Sequence, residues 1–264
     1  MRNPSYLFPS LISLVIILQA CEKKTDKEIL QETKIERPKD SSNLITTPTE
    51  KLEKDISYDF TVEKIDSLEY RSIKKKTAPI KKNLVKITDI SKAKKLLKGI
   101  VEFDENPDFG GNPAVKKIHF RNGKTYGNDK EFDYYFFIAY YPEEDILLCE
   151  GGHSTDISFN LKNGKQTEET GNPDLLNFST NEIFRINGSY DGQECLGYFI
   201  QKKINGEFVK IIDLEKEFEA KTSIMLCNIR DGFWIDDHTF YLEKYDFDYE
   251  TRKYKFFKIN IIEK

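Results

Sequence analysis

Two short strings hold the residue types that catalysis or ligand binding requires. Gly151-Gly152-His153-Ser154-Thr155-Asp156 puts an imidazole, a hydroxyl and a carboxylate within six residues, on a backbone whose paired glycines can expose them. That is raw material for nucleophilic chemistry, but a catalytic triad is assembled in space from distant segments. The Gly-x-Ser-x-Gly elbow that presents a serine nucleophile is absent. The same residues suit a hairpin loop in which Ser154, Thr155 or Asp156 bonds the turn backbone. The second string, Trp234-Ile235-Asp236-Asp237-His238, combines the sole tryptophan with two carboxylates and an imidazole. Trp234 and His238 suit a sugar ring by stacking and hydrogen bonding, and the carboxylates with His238 suit a cation. On a strand, however, Trp234 and Ile235 face opposite ways, and a plain turn accounts for Asp236-Asp237.

The ligand-binding candidates are therefore His153, Asp156, Trp234, Asp236, Asp237 and His238. No catalytic residue is assigned, and neither a metal nor a cofactor is expected. The three histidines are scattered and no two cysteines are close in sequence, which disfavours a Cys/His metal centre. Asp246, Asp248 and Glu250 alternate as calcium ligands do, but without the glycine and remaining ligands of an EF-hand loop they read as a solvated hairpin tip. Residues 101–264 carry 31 acidic side chains, too many for a glycosidase pair to be selected by type alone. The run Phe132, Tyr134 to Phe137, Tyr140 and Tyr141 fills a core on one side and leaves tyrosine faces on the other, a platform for a protein or glycan.

The chain opens with Arg2, an apolar stretch from Leu11 to Leu18, and Leu18-Gln19-Ala20-Cys21. The apolar core is about half of the roughly 20 residues that a spanning helix needs, so residues 1–20 read as a secretory signal. Leu18 to Cys21 resembles the lipobox of bacterial lipoproteins. That resemblance implies lipid attachment at Cys21, palmitate among the acyl chains, and a place in the cell envelope on the outer membrane, facing either the periplasm or the surface. The three remaining cysteines are an odd number in an oxidising space. Cys195 and Cys227 form the favoured disulfide, with Cys149 a buried thiol inside an apolar run, and three free thiols stand as the alternative. Residues 21–59 show no sustained periodicity and few aromatics, and read as a disordered tether.

Behind the formal net charge of −4 lies a strong polarity: residues 61–100 carry +8 and residues 101–264 carry −11. Lys74-Lys75-Lys76, Lys81-Lys82 and Lys92-Lys94-Lys95-Lys98 supply the positive part. They either pack on the acidic domain or grip an anionic surface; nucleic acid is not expected as a partner of an exported chain.

The elements that must position these residues read mainly as strand. Of the aromatics, 19 Phe and 14 Tyr stand against one Trp, a balance that favours sheet over helical bundle. Asn-Gly at 122, 163, 187 and 205 and Asp-Gly at 191 and 231 punctuate apolar runs as hairpin turns do. Strands are expected at 100–104, 115–120, 134–141, 146–150, 156–161, 182–186, 196–202, 208–214, 239–245 and 253–262. One short helix is expected near 89–99, capped by Asp89 or Ser91, with Ala93, Leu96 and Leu97 on one face and Gly99 at its end; a second is hinted at 214–221. A cadence near 40 residues resembles the blade joints of β-propellers. The fold expected over residues 60–264 is an antiparallel meander, sandwich or partial propeller-like β domain, with residues 60–100 as its basic lead-in.

Lys92 to Phe103, Asn163-Gly164-Lys165 with Gly171-Asn172-Pro173, and Phe233 to Phe240 also resemble a group of uncharacterised lipoproteins from Bacteroidota, over roughly residues 84 to 262. That resemblance carries no activity. The function expected is a lipid-anchored envelope binding or interaction protein. An envelope hydrolase or carbohydrate-active protein, or an immunity-type lipoprotein that neutralises a toxin, are the alternatives.

Overall fold

Alternating apolar residues and tight turns lay the chain down as successive antiparallel strands. The computed structural model describes residues 56–77, 82–104, 111–127, 135–193, 195–227, 229–245 and 253–264. The expected signal, Cys21, nearly all of the expected tether and the residues Asp246 to Glu250, expected as a hairpin tip, lie outside them. The last two tether residues, Tyr58 and Asp59, already belong to a strand.

The described residues form three antiparallel sheets. The first contains β2 (Val101–Asp104), β3 (Ala114–His119), β5 (Phe136–Tyr141), β6 (Ile146–Glu150) and β7 (Asp156–Asn160) in that spatial order, with β4 (Thr125–Gly127) paired to β3. The second is a meander of β8 (Asn177–Phe178), β9 (Phe184–Tyr190), β10 (Leu196–Ile204) and β11 (Glu207–Ile212). The third contains β12 (Ile229–Trp234), β13 (Thr239–Tyr245) and β14 (Tyr254–Glu263). Its fourth strand is the first of the chain, β1 (Tyr58–Ile65), which pairs with β14 from Tyr58↔Glu263 to Ile65↔Phe256.

Turn chemistry separates the real hairpins from the false ones. Asn205 and Gly206 both take positive φ, 51° and 84°, and close the two-residue turn from β10 to β11. Gly123 at φ 83° turns β3 into β4. Asn187-Gly188 and Asp231-Gly232, expected as turns, instead lie inside β9 and β12. Asn187 pairs with Phe199 in the ladder, while its buried side-chain amide donates to the Thr170 carbonyl at 2.7 Å. Tertiary bonding has recruited a turn-forming dipeptide as a staple.

Four helices cover the sheets: α1 (Ser67–Lys76), α2 (Ile90–Leu96), α3 (Thr167–Thr170) and α4 (Leu214–Thr222). The helix α1 is an addition to the single helix expected in the lead-in. Asp66 caps it, accepting the N–H groups of Leu68 and Glu69 at 2.8 Å, and Tyr70 is its buried residue. At α2, Asp89 caps as expected. Ala93 and Leu97 are fully buried, but Leu96 is 51% exposed, a correction to the expected apolar face. With Ala93 and Leu97 one turn apart facing the sheet, Leu96 is rotated by about 100° from Leu97 and points away.

The largest core joins the second and third sheets, through Phe184, Ile186, Tyr198 and Ile200 against Phe60, Trp234, Leu242, Phe257 and Ile259, with Leu214 and Phe218 of α4. A separate core packs α2 on the first sheet through Val115, Ile118, Phe137, Leu147 and Phe159. Tyr70 of α1 closes a third against Phe233, Tyr241 and Phe256.

Candidate functional site

A cleft of about 840 Å³ opens where edge strands of the second and third sheets meet the lead-in. Its walls come from Thr77 and Lys82 to Lys86, from Tyr141, from the Pro173–Thr180 segment and from Asp231 to Ile235. Asn177 builds it: its side-chain amide donates to the Gly232 carbonyl at 2.8 Å, and its own carbonyl accepts the Trp234 Nε1 proton at 3.1 Å. This reciprocal pair holds β8 beside β12 without a continuous ladder, which leaves an opening between them. Trp234, 5% exposed, packs 5.1 Å from the Phe240 ring centre.

Charge lines the rim in opposed pairs. Lys82 Nζ donates to Glu182 at 2.8 Å and stands 5.0 Å from the Phe178 ring centre. Lys86 pairs with Asp174, and Lys74 with Asp231, which also accepts the Tyr70 hydroxyl at 2.8 Å. Part of the basic lead-in is thus neutralised by the acidic domain. Deeper in, the Tyr141 hydroxyl is buried without a hydrogen-bond partner among the described residues. Burial first, and then the neighbouring Asp174 carboxylate, hold its pKa above that of an ordinary phenol.

The expected site residues are divided between this cleft and separate structural tasks. Only Trp234 lines the cleft. Asp236 closes the turn after β12, accepting the N–H groups of His238 and Thr239 at 2.7 Å each. Asp237 accepts the Ser179 hydroxyl at 2.9 Å and the backbone and side-chain N–H groups of Asn181 at 2.7 Å. Burial raises its pKa, but those hydrogen bonds and His238 outweigh it and hold the carboxyl below its usual value. The exposed His238 sets its ring edge-on to Phe184, centres 5.4 Å apart.

His153 and Ser154 sit in a single 3-10 turn, Gly152–Ser154, both at positive φ and both exposed. Thr155 Oγ1 donates back to the Gly152 carbonyl at 2.9 Å, and Asp156 accepts the Tyr190 N–H at 2.8 Å, which ties β7 to β9. A Cβ at Gly192, where φ is 83°, would lie 2.7 Å from Thr155 and 2.9 Å from the His153 carbonyl. The loop is buttressed as a structural corner. Among the described residues no cluster of three or more His, Cys, Asp or Glu is placed to hold a metal ion.

Cys195 and Cys227 are joined in a disulfide, and Cys149 is a free, buried thiol whose pKa burial pushes up. Tyr140 and Tyr141 are buried, so the expected open tyrosine platform on this strand is corrected; Phe132 and Tyr134 lie outside the described residues. Sequence reading missed Lys82, Tyr141, Asp174, Asn177 and Phe178 as neighbours of Trp234. Only the Asn172-Pro173 pair, a turn signal, marks the segment that brings six of the cleft residues together. Among the described residues no helix is long and apolar enough to cross a membrane. Comparison of the chain with protein families, curated proteins and solved structures gives no match.

Proposed function

We propose that this protein is a lipid-anchored binding protein of the bacterial cell envelope that holds a protein or glycan segment in the cleft beside Trp234. The observation that carries the reading is the cleft itself: an apolar floor of Phe178 and Trp234, a polar rim, and a buried Tyr141 hydroxyl beside Asp174. Its other half is the Leu18-to-Cys21 lipobox resemblance, which carries attachment at Cys21. Binding is favoured over hydrolysis because neither His153 nor His238 lines the cleft, and the Asp156, Asp236 and Asp237 carboxylates accept hydrogen bonds from loop and turn groups.

Thr180 is an exposed residue on the cleft wall, so Thr180→Trp fills the opening without touching the core. Affinity capture from envelope extracts, comparing wild type, Thr180→Trp and His153→Ala, tests the reading. Wild type and His153→Ala are expected to retain the same component, and Thr180→Trp to lose it. Equal capture by all three rules the cleft out as the binding site.

A further inference from the structure

The helix α2 and the turn after it carry Lys92, Lys94, Lys95 and Lys98 within seven residues. The flanking carboxylates in sequence are occupied: Asp89 as the helix cap, accepting the Lys92 N–H at 2.7 Å, and Glu102 with His119 at 2.6 Å. Because Ala93 and Leu97 face the core of the first sheet, Lys92, Lys95, Leu96 and Lys98 are all exposed. Three other lysines of the lead-in, Lys74, Lys82 and Lys86, are matched to the acidic domain. On α2, Lys92, Lys95 and Lys98 enter no ion pair among the described residues. Like charges this close repel one another, which opposes what the last-turn lysines gain at the negative end of the helix. The helix α1 also exposes a leucine, Leu68 at 76%, beside Arg71 and Lys75, but Asp66 and Glu69 stand in its first turn and weaken its field.

A leucine set among unpaired lysines is complementary to a surface that is anionic outside and hydrocarbon beneath. We propose that this face of α2 docks on an anionic phospholipid surface, with Lys92, Lys95 and Lys98 at the head groups and Leu96 at the acyl boundary. Each lysine near such a surface strengthens binding about fivefold, so the three together supply on the order of a hundredfold. That is weak for a free protein. For a chain already held at the bilayer it suffices to set orientation, presenting one side of the domain to the lipid. The binding itself rests on neither the cleft nor Cys21, since the surface binds or fails to bind without them; its role in orientation rests on the lipid attachment proposed at Cys21.

Co-sedimentation of the chain from Glu22 onward, which keeps every described residue, is the test. The vesicles are phosphatidylcholine with and without phosphatidylglycerol. Wild type is expected to pellet with the anionic vesicles only, and to be released by high salt as the Debye length shrinks. The triple variant Lys92→Glu, Lys95→Glu, Lys98→Glu is expected to lose well over a hundredfold in apparent affinity, because it replaces three attractions with three repulsions. The milder triple change to Gln should lose less, and Leu96→Ser should weaken binding while leaving its salt dependence in place. All are surface changes, and an unchanged melting curve confirms that they fold. The proposal is overturned if neutral vesicles bind equally, if charge reversal on α2 has no effect, or if Arg71→Glu with Lys75→Glu on α1 abolishes binding instead. Binding to polyglutamate as strong as to the anionic vesicles, and indifferent to Leu96→Ser, also overturns it, because it assigns the face to an acidic macromolecule.

Discussion

Arg185 shows how much a single side chain contributes once burial is known. It is 3% exposed on β9, with Nη1 donating to Glu144 at 2.8 Å, Nε donating to Gln201 at 2.6 Å, and its guanidinium 3.8 Å over the Phe208 ring. Burial pulls its pKa down and Glu144 pulls it back up. Removing Glu144 leaves a buried cation without its counter-charge, so Glu144→Ala is expected to cost about 3 to 5 kcal/mol. The urea midpoint should fall with the m-value unchanged. Adding Arg185→Met should return much of that loss, and a double variant no more stable than the single would show that the stranded charge is not the cause. None of this was legible in the sequence, where Arg185 is one basic residue among many. The candidate site residues were legible as types but not as tasks. Asp237 and Asp156 bond loop and strand backbone, whereas Trp234 reaches the cleft because a strand carries it there.

At the scale of elements, the strand β1 matters most. Phe60 and Val62 face the main core, and Thr61 between them does not. The pairing with β14 gives the chain's last strand a partner along eight residue pairs. A chain starting at Ile56 is expected to melt as wild type does. One starting at Asp66 loses Phe60 from the core, a loss of about 3 to 5 kcal/mol by itself, and bares the β14 edge. It should bind a hydrophobic dye and aggregate on heating; equal melting of the two truncations would remove β1 from the stability argument. β6 was legible to the residue because a continuous apolar run ends at clear turns, and β13 because its aromatic-rich stretch starts after the polar Asp236-Asp237-His238 turn. β1 and α1 were not. Their apolar residues are few and set in charged sequence, and their partners lie at the far end of the chain.

Over the whole molecule, buried phenols set the response to base. Tyr70, Tyr140, Tyr141, Tyr198 and Tyr241 are all shifted upward, with burial the leading cause in each. Tyr198 is pushed up to about 12, Glu215 adding to the effect of burial. Unfolded tyrosines ionise near pH 10 and the folded ones hold their protons to higher pH. In that window the unfolded chain binds fewer protons, so stability falls as pH rises from about 10 to about 12 and is unaffected by these groups below it. Cys149, raised by burial, brings the onset down toward the ordinary thiol pKa of about 8.5. The urea midpoint measured against pH should therefore decline through this range, and a flat profile would contradict the assigned burial. At the other end, Lys221 and Lys264 hold Asp59 well below the usual carboxylate range, so its contribution is present at neutral pH and lost as pH falls through that range. The charge polarity of the chain has the same two-sided answer: Lys74, Lys82 and Lys86 are met by acidic partners, and Lys92, Lys95 and Lys98 are exposed.

What the sequence determined by itself is local. Strand-forming alternation, the Asn205-Gly206 turn with positive φ at both residues, and the Asp89 cap depend on a few neighbouring residues and on backbone sterics. Tertiary structure decided which strands share a sheet, that Asn187-Gly188 continues a strand, and that Asn177 meets Trp234 to frame a cleft. Those outcomes turn on contacts between residues tens to hundreds of positions apart, where burying Phe60 or pairing the Asn187 amide outweighs the short-range preference of the dipeptide or segment that carries it.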